Sequence, residues 1–190
     1  MTDYIYTCLK GEKMERNLRE ELISSIVDFK LPAYNEIPDV GLFLEQTTQY
    51  IANIYKDIEG ITITSSMISN YVKKGLVDNP IKKQYSREQI AYLIFVAAAK
   101  SVVNLEDINL MVRIQKDSYS IETAYRYFSE ELVHVLQYIC GVKPVFGPIG
   151  EGDSDEKILL RNTVVTLAHK IYLEKCFMFL HKGIDMGEKE

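Results

Sequence analysis

The order of apolar and polar residues predicts helices along almost the whole chain. Apolar side chains recur every three or four residues, as on one face of a helix, and the alternation typical of strands is nearly absent. A first amphipathic helix is predicted to begin near Met14 and to stop before Pro32. A second, with Asp39 as its N-cap, is predicted to end at Gly60. The segment 61–63, Ile-Thr-Ile, is the best extended stretch of the first half.

The middle of the chain carries clear signals of where helices begin and end. Thr64 or Ser65 is predicted to cap a short helix that ends with Gly75 as its C′ residue. Ser86 and Gln89 have the spacing of a capping box, in which each side chain bonds the backbone of the other residue. The helix they open is apolar on most sides as far as about residue 103, so it is predicted to be the buried spine of the protein.

The last third predicts three more helices. Asn104 caps a short one, and Ser120 begins a long one that ends near residue 140. A linker at 142–153, rich in Pro and Gly, separates it from a helix over about 156–181 that Gly183 is expected to close. The apolar stripe of that last helix suits either the pairing of two subunits in a homodimer or completion of the monomer's own core.

These elements predict an all-α fold that contains at most a small β-hairpin. The hairpin would combine the extended segment 61–63 with residues 81–85. We divide the chain into an N-terminal helix and linker at 1–38, a central domain at 39–117, and a C-terminal two-helix region at 118–190.

Composition limits the classes of protein to consider. With 47% apolar and 26% charged residues the chain is that of an ordinary globular protein. The longest apolar run is about half of what a membrane span needs, and no secretory signal is present, so we expect a cytoplasmic protein. The sequence contains no phosphate-binding loop and no nucleophile paired with a base, so we predict no enzyme and no cofactor. Glu130 and His134 have the spacing of a metal pair, but an ordinary helix surface is the simpler interpretation, so we predict no metal.

Charge is distributed unevenly along the chain. The net charge is −5, yet residues 61–100 hold six basic and two acidic side chains, a balance of +4. A single basic block in an acidic protein is the part able to meet a polyanion such as DNA. A solvated, lysine-rich turn would leave the same pattern, and charge alone does not separate the two.

The segment 63–108, ITSSMISNYVKKGLVDNPIKKQYSREQIAYLIFVAAAKSVVNLEDI, closely resembles the DNA-binding head of the MerR transcription factors. In that family a recognition helix ends in Gly-Leu, a small wing ends in a Tyr-Ser cap, and a further helix precedes a segment like Leu-Glu-Glu-Ile. The resemblance implies a winged helix-turn-helix whose short helix enters the major groove of double-stranded DNA.

Ten residues are the candidate DNA-binding set. Short polar side chains would reach base edges or phosphates, Tyr71 would place its hydroxyl on the DNA backbone while its ring anchors the helix, and basic side chains would contact phosphates. The set is Ser65, Ser66, Ser69, Asn70, Tyr71, Lys73, Lys74, Lys82, Lys83 and Arg87. Where MerR heads usually have Arg-Tyr-Tyr-Glu before the Gly-Leu turn, this chain has Ser-Asn-Tyr-Val, so the arginine of the recognition helix is missing.

A wider resemblance rests on the phrases LPAYNEIPDVGLFLEQTTQYIANIY and ITSSMISNYVKKGL. They are similar to a bacterial family named domain of unknown function 1836, over roughly residues 30–140. Two hypotheses follow. The first is a dimeric DNA-binding transcriptional regulator, favoured by the basic block. The second is a non-enzymatic protein-interaction module on a degenerate helix-turn-helix scaffold, favoured by the missing arginine and the low isoelectric point. The pattern specifies neither an operator sequence nor a small-molecule effector.

Overall fold

Helices make up most of the computed structural model, which describes residues 20–21, 23–26, 28–143 and 154–187. The helical character predicted from the sequence is confirmed. Residues 20–21 and 23–26 are helical, and a single 3-10 turn follows. The remaining helices are α1 (Leu44–Ile54), α2 (Ser65–Lys73), α3 (Arg87–Ala99), α4 (Leu105–Ser118), α5 (Ile121–Ile139) and α6 (Asp155–Gly187).

Two very short strands form one antiparallel pair. Strand β1 (Leu42–Phe43) comes just before α1, and β2 (Gln84–Tyr85) comes just before α3. The small hairpin wing predicted around 81–85 exists, since Ile81 also bridges to Gln84. Its predicted partner is wrong, because residues 61–63 form no strand, and Ile61 and Ile63 are buried in the core. Burial removes these two apolar side chains from water, which favours the core position over a strand at the surface. Strand β1 pairs with the wing instead.

The predicted helix starts are correct at four of the caps. Side chains of these residues accept hydrogen bonds from backbone N–H groups of the following turn, as N-caps do. They are Thr64, Ser86, Asn104 and Ser120. The prediction of Asp39 as a cap is wrong, because α1 begins at Leu44, after β1. Phe43 holds the N-cap position, and the Gln46 side chain accepts from its N–H at 3.0 Å.

Several predicted helix ends differ from the structure, among them that of α3, which ends at Ala99 and not near residue 103. Helix α1 ends at Ile54, and a turn separates it from Gly60. Helix α6 continues through Gly183 as far as Gly187, so that glycine does not close it. Most of the predicted linker, at 144–153, lies outside the described residues.

The buried spine predicted from the sequence is α3. Eight of its thirteen residues are buried, and it contacts α1, α5 and α6. One hydrophobic cluster runs from Ile26 to Phe179 and draws on all three segments into which the sequence divides. The predicted stripe of α6 contributes to this core through Val164, Ala168 and Ile171.

Helices α5 and α6 lie along one another and carry a buried ion pair. The Nε atom of Arg161 on α6 is 3.0 Å from the Oε1 atom of Glu131 on α5, whose side chain is fully buried. A carboxylate out of contact with water needs such a partner. Within the described ranges, none of the helices has both the length and the apolar character needed to cross a membrane.

Candidate nucleic-acid interface

Helix α2 separates its residues sharply into an inner and an outer face. Ile68 and Tyr71 are buried. Four polar residues at spacings of three and four lie on the exposed face: Ser66, Ser69, Asn70 and Lys73. Such spacing places side chains in one row along a helix. The row presents hydroxyl and amide groups flanked by an ammonium group, as the sequence predicts.

The first turn of α2 is attached to α1. The hydroxyl of Ser65 donates to the Oε2 atom of Glu45 at 3.0 Å and lies 3.0 Å from the hydroxyl of Thr48. Ser65 is half-buried, whereas the sequence predicts that it faces outward. Its hydrogen bonds fix the angle between α1 and α2, so its role in the structure is to position the outer face.

The last turn of α2 ends in a Schellman motif, in which two backbone bonds close the helix around a left-handed residue. The N–H of Leu76 donates to the carbonyl of Tyr71 at 3.0 Å, and the N–H of Gly75 donates to Val72 at 2.9 Å. Gly75 has a φ of 72°, which confirms its predicted position after the helix. The motif leaves Lys73 and Lys74 exposed at the helix end.

Lysine residues also occupy the tip of the wing, in an unusual backbone conformation. Lys82 and Lys83 have φ values of 51° and 65°, and the N–H of Gln84 donates to the carbonyl of Ile81 at 2.9 Å. Two successive left-handed residues inside a two-residue loop make a type I′ hairpin, where Asn-Gly is the usual sequence. Both lysines are exposed.

The wing and the segment after α2 meet at the start of α3. Ser86 and Gln89 form the predicted capping box, and the Nε2 atom of Gln89 also donates to the carbonyl of Asp78 at 2.7 Å. On the other side, the Nδ2 atom of Asn109 donates to the carbonyl of Lys74 at 3.3 Å. These side-chain bonds hold the end of α2 and the base of the wing on α3 and α4. The sequence shows Gln89 only as a cap, and no local signal reveals the contact of Asn109.

Arg87 is not available for the phosphate contact that the sequence predicts. Its Nε atom donates to the carbonyl of Ile37 at 2.9 Å, and its Nη1 atom is 3.7 Å from Asp39. The guanidinium also lies 5.8 Å from the centre of the Tyr34 ring, a cation–π contact. These partners hold the side chain against the segment that precedes β1, so Arg87 is a structural residue.

Tyr71 provides the anchoring half of its predicted role. The residue is 2% exposed, and its hydroxyl has no hydrogen-bond partner among the described residues. Burial raises the pKa of Tyr71 to about 12. The hydroxyl is thus enclosed in this structure, and its contact with the DNA backbone stays a prediction.

Four lysines give the exposed surface its charge. Lys73, Lys74, Lys82 and Lys83 are exposed, and within the described part of the chain none of them forms an ion pair. Lys100 belongs to the same basic block of the sequence, but it is half-buried, its Nζ atom lies 3.7 Å from the sulfur of Met67, and burial lowers its pKa. The end of α2 and the tip of the wing therefore each carry two exposed positive charges.

A second exposed feature of the wing is absent from the predicted set. Ile81 lies at the edge of the hairpin and is 79% exposed. Its only sequence signal is an apolar side chain outside every periodic stripe. Next to two lysines, it can contact the sugar–phosphate edge of a groove without reading a base.

Comparison with known proteins gives one match. A family model described as Domain of unknown function (DUF1836) matches residues 32–128, which include both strands and helices α1 to α4. No curated protein and no solved structure matches the chain.

Proposed function

The chain belongs to the family described as domain of unknown function DUF1836, and from that premise we propose that it is a DNA-binding transcriptional regulator. The observation that carries the proposal is a set of four exposed lysines, two at the end of α2 and two at the tip of the wing, none of which is ion-paired within the described ranges. We place α2 in the major groove and the wing on the flanking phosphates.

The order of elements supports this proposal. In the resemblance to MerR transcription factors, a recognition helix ends in Gly-Leu, a wing leads to a capped helix, and a further helix follows. Here α2 is followed by Gly75 and Leu76, the wing by the cap Ser86, and α3 by α4. We infer that α1 and α2 act as a helix-turn-helix and β2 as part of its wing.

The mode of binding follows from which side chains are free. No arginine lies on the outer face of α2, and Arg87 bonds to the backbone, so the bidentate contacts that arginine makes to guanine are not available from these residues. Affinity then comes mostly from lysine–phosphate contacts and falls steeply with salt. Sequence preference rests mainly on Asn70, whose amide can make a bidentate base contact worth about 1–3 kcal/mol. Ser66 and Ser69 can add single hydrogen bonds from hydroxyls that also bond to Thr64 and to the carbonyl of Ser65.

The test begins with selection of genomic fragments bound by the purified protein at moderate salt. The best fragment is then titrated over a range of salt with the parent and with the Lys73→Ala/Lys74→Ala variant. Each lost phosphate contact flattens the slope of log affinity against log salt by about 0.9, so we expect a change of up to about two. The matched control is Lys30→Ala/Lys143→Ala, which removes two exposed lysines elsewhere on the molecule and leaves the slope unchanged.

Equal binding by the parent and the Lys73→Ala/Lys74→Ala variant at every salt concentration would contradict the proposal. The protein-interaction module would then be favoured, because the same outer face would have to serve a protein partner. An Asn70→Ala variant separates the two further. In a DNA-binding protein it narrows the gap between the selected site and random DNA.

We further propose that the regulator acts in the cytoplasm as a homodimer. The core uses one side of α6 and leaves three large apolar residues exposed on another: Leu173 at 54%, Phe177 at 57% and Leu180 at 48%. They are spaced by four and three residues, as in the seam of paired helices. Light scattering of the parent should give twice the chain mass of 21.9 kDa, and the Phe177→Glu variant should give the mass of one chain. The mass of one chain for the parent at micromolar concentration would exclude the dimer.

A further inference from the structure

A cavity of about 100 Å³ lies inside the helical bundle, away from the DNA-binding face proposed above. Helices α3, α4, α5 and α6 all contribute to its wall, and no residue of α2 or of the wing does. Protein interiors are packed as densely as organic crystals, and voids larger than a water molecule are few. The four helices here leave a gap larger than that, which opens to solvent beside the exposed residues Tyr119 and Leu159.

Aromatic rings dominate the wall. The rings of Phe95 and Phe128 meet edge to face, with centroids 5.2 Å apart and planes at 84°. Tyr125 packs on Phe128 in a similar arrangement at 6.3 Å. Tyr92 and Tyr127 also line the cavity. Ring edges carry partial positive charge and ring faces partial negative charge, so this wall suits another aromatic ring better than a saturated chain.

The polar atoms near the cavity are largely satisfied by one another. The hydroxyl of Tyr92 donates to the Oε1 atom of Gln115 at 2.8 Å, and the Nε2 atom of the same glutamine donates to the carbonyl of Tyr119. At the rim, the hydroxyl of Ser118 donates to Glu156 at 3.0 Å. A cavity whose polar lining groups bond largely to one another holds water poorly and accepts apolar molecules.

From this geometry we propose that the cavity is a binding site for a small monocyclic aromatic compound. The volume limits the size: an apolar cavity of about 150 Å³ admits benzene, and this one, at about 100 Å³, leaves room for no more than a single ring. The lining sets the chemistry, because it is aromatic and internally hydrogen-bonded. The site goes beyond the proposed function, and its test uses no DNA, so either proposal can fail while the other stands.

The test is a titration of the ¹⁵N-labelled full chain with benzene, and separately with naphthalene, followed by NMR. Benzene should shift the backbone resonances of cavity residues saturably, with a dissociation constant below about 1 mM. Naphthalene, which has two fused rings, should not bind there. No saturable shift with benzene up to its solubility limit would overturn the proposal.

A filling variant tests the location. Ala91 on α3 is fully buried and lines the cavity, so Ala91→Leu places three more carbon atoms in it. We expect the affinity for benzene to fall by at least about tenfold. Glu130→Leu is the matched control, since it adds the same side chain on the exposed side of α5 and should keep the parent affinity. Equal affinity in all three proteins would overturn the proposal.

A direct measurement keeps the test decisive if Ala91→Leu does not fold. Bound benzene in the parent should give intermolecular NOEs to the methyl groups of Met111 and Leu160, which line the cavity from α4 and α6. NOEs only to the exposed residues of α6, such as Leu173 and Phe177, would place benzene on the surface and overturn the proposal.

Discussion

The Nε atom of Arg87 donates to the backbone carbonyl of Ile37 at 2.9 Å, across fifty residues of sequence. Ile37 is fully buried, so water cannot replace this donor easily. The bond ties the first residue of α3 to the segment that precedes β1. It thereby fixes the base of the wing and removes the only arginine of the basic block from the exposed surface.

Replacing Arg87 should therefore affect stability more than DNA binding. In Arg87→Ala the carbonyl of Ile37 loses a charged donor, and we expect the free energy of unfolding to fall by about 1.5–3 kcal/mol. The pair with Asp39 adds little, because that carboxylate is 80% exposed. Urea unfolding measures the change. Arg113→Ala, at an exposed position of α4, is the control and should cost less than about 0.5 kcal/mol. If Arg87→Ala is as stable as the parent and its DNA affinity depends less on salt, Arg87 contacts a phosphate, as the sequence predicts.

The two lysines at the wing tip should trade stability against affinity for DNA. Replacing Lys82 and Lys83 by Asn and Gly supplies the residues that a type I′ turn favours, and we expect a gain of about 1–2 kcal/mol in stability. The same change removes two charges, so the salt slope of DNA binding should flatten by up to about two. The Lys82→Gln/Lys83→Gln variant separates the effects. It should bind DNA as weakly as the variant with Asn and Gly, but it should be no more stable than the parent. Parent-like affinity in both variants would remove the wing from the interface.

Two glycines with nearly equal φ should respond differently to alanine. Gly75, with φ of 72°, has no atom within 4 Å of an added Cβ, so Gly75→Ala should cost only the backbone term of about 1–2 kcal/mol. Gly60, with φ of 75°, would place its Cβ against the carboxylate of Glu174, which is paired with Lys170 on α6. Gly60→Ala should cost slightly more in urea unfolding, because only the flexible end of the Glu174 side chain has to move away from the new Cβ. In a Glu174→Ala background the two costs should become equal, and a difference that persists there would exclude the carboxylate as its cause.

The buried hydroxyl of Tyr71 should be dispensable. Its removal in Tyr71→Phe leaves no partner behind among the described residues, so stability at neutral pH should stay the same or rise by up to about 1 kcal/mol. Burial raises the pKa of Tyr71 to about 12 in the folded protein. In the unfolded chain the hydroxyl of Tyr71 ionises near pH 10. Its contribution to the free energy of unfolding is therefore complete below pH 10 and is lost as the pH rises toward 12. The variant should lose less stability over that range. DNA affinity should not change, and a weaker affinity would show that the hydroxyl reaches the backbone.

The boundaries of the interface helices could largely be predicted, since their signals are local. The caps Thr64 and Ser86 bond to N–H groups three residues on, and Gly75 closes α2 within one turn. The burial of α3 was predictable as well, because a helix that is apolar on most sides has no face to present to water. Local signals fail where a distant segment takes part. Near Asp39 they predict the start of a helix, but strand β1 forms there by pairing with the distant strand β2, and α1 begins only after it.

The sequence by itself determined which segments are helical, where the basic block lies, and that the outer residues of α2 are short and polar. Only the tertiary structure decided that β1 is the partner of the wing, that Ser65 bonds to α1, that Arg87 serves the backbone and that the hydroxyl of Tyr71 is enclosed. The physical reason is the range of the interactions. Caps and helix periodicity act within about one turn of the chain, whereas strand pairing and the burial of a polar atom depend on residues that only folding brings together.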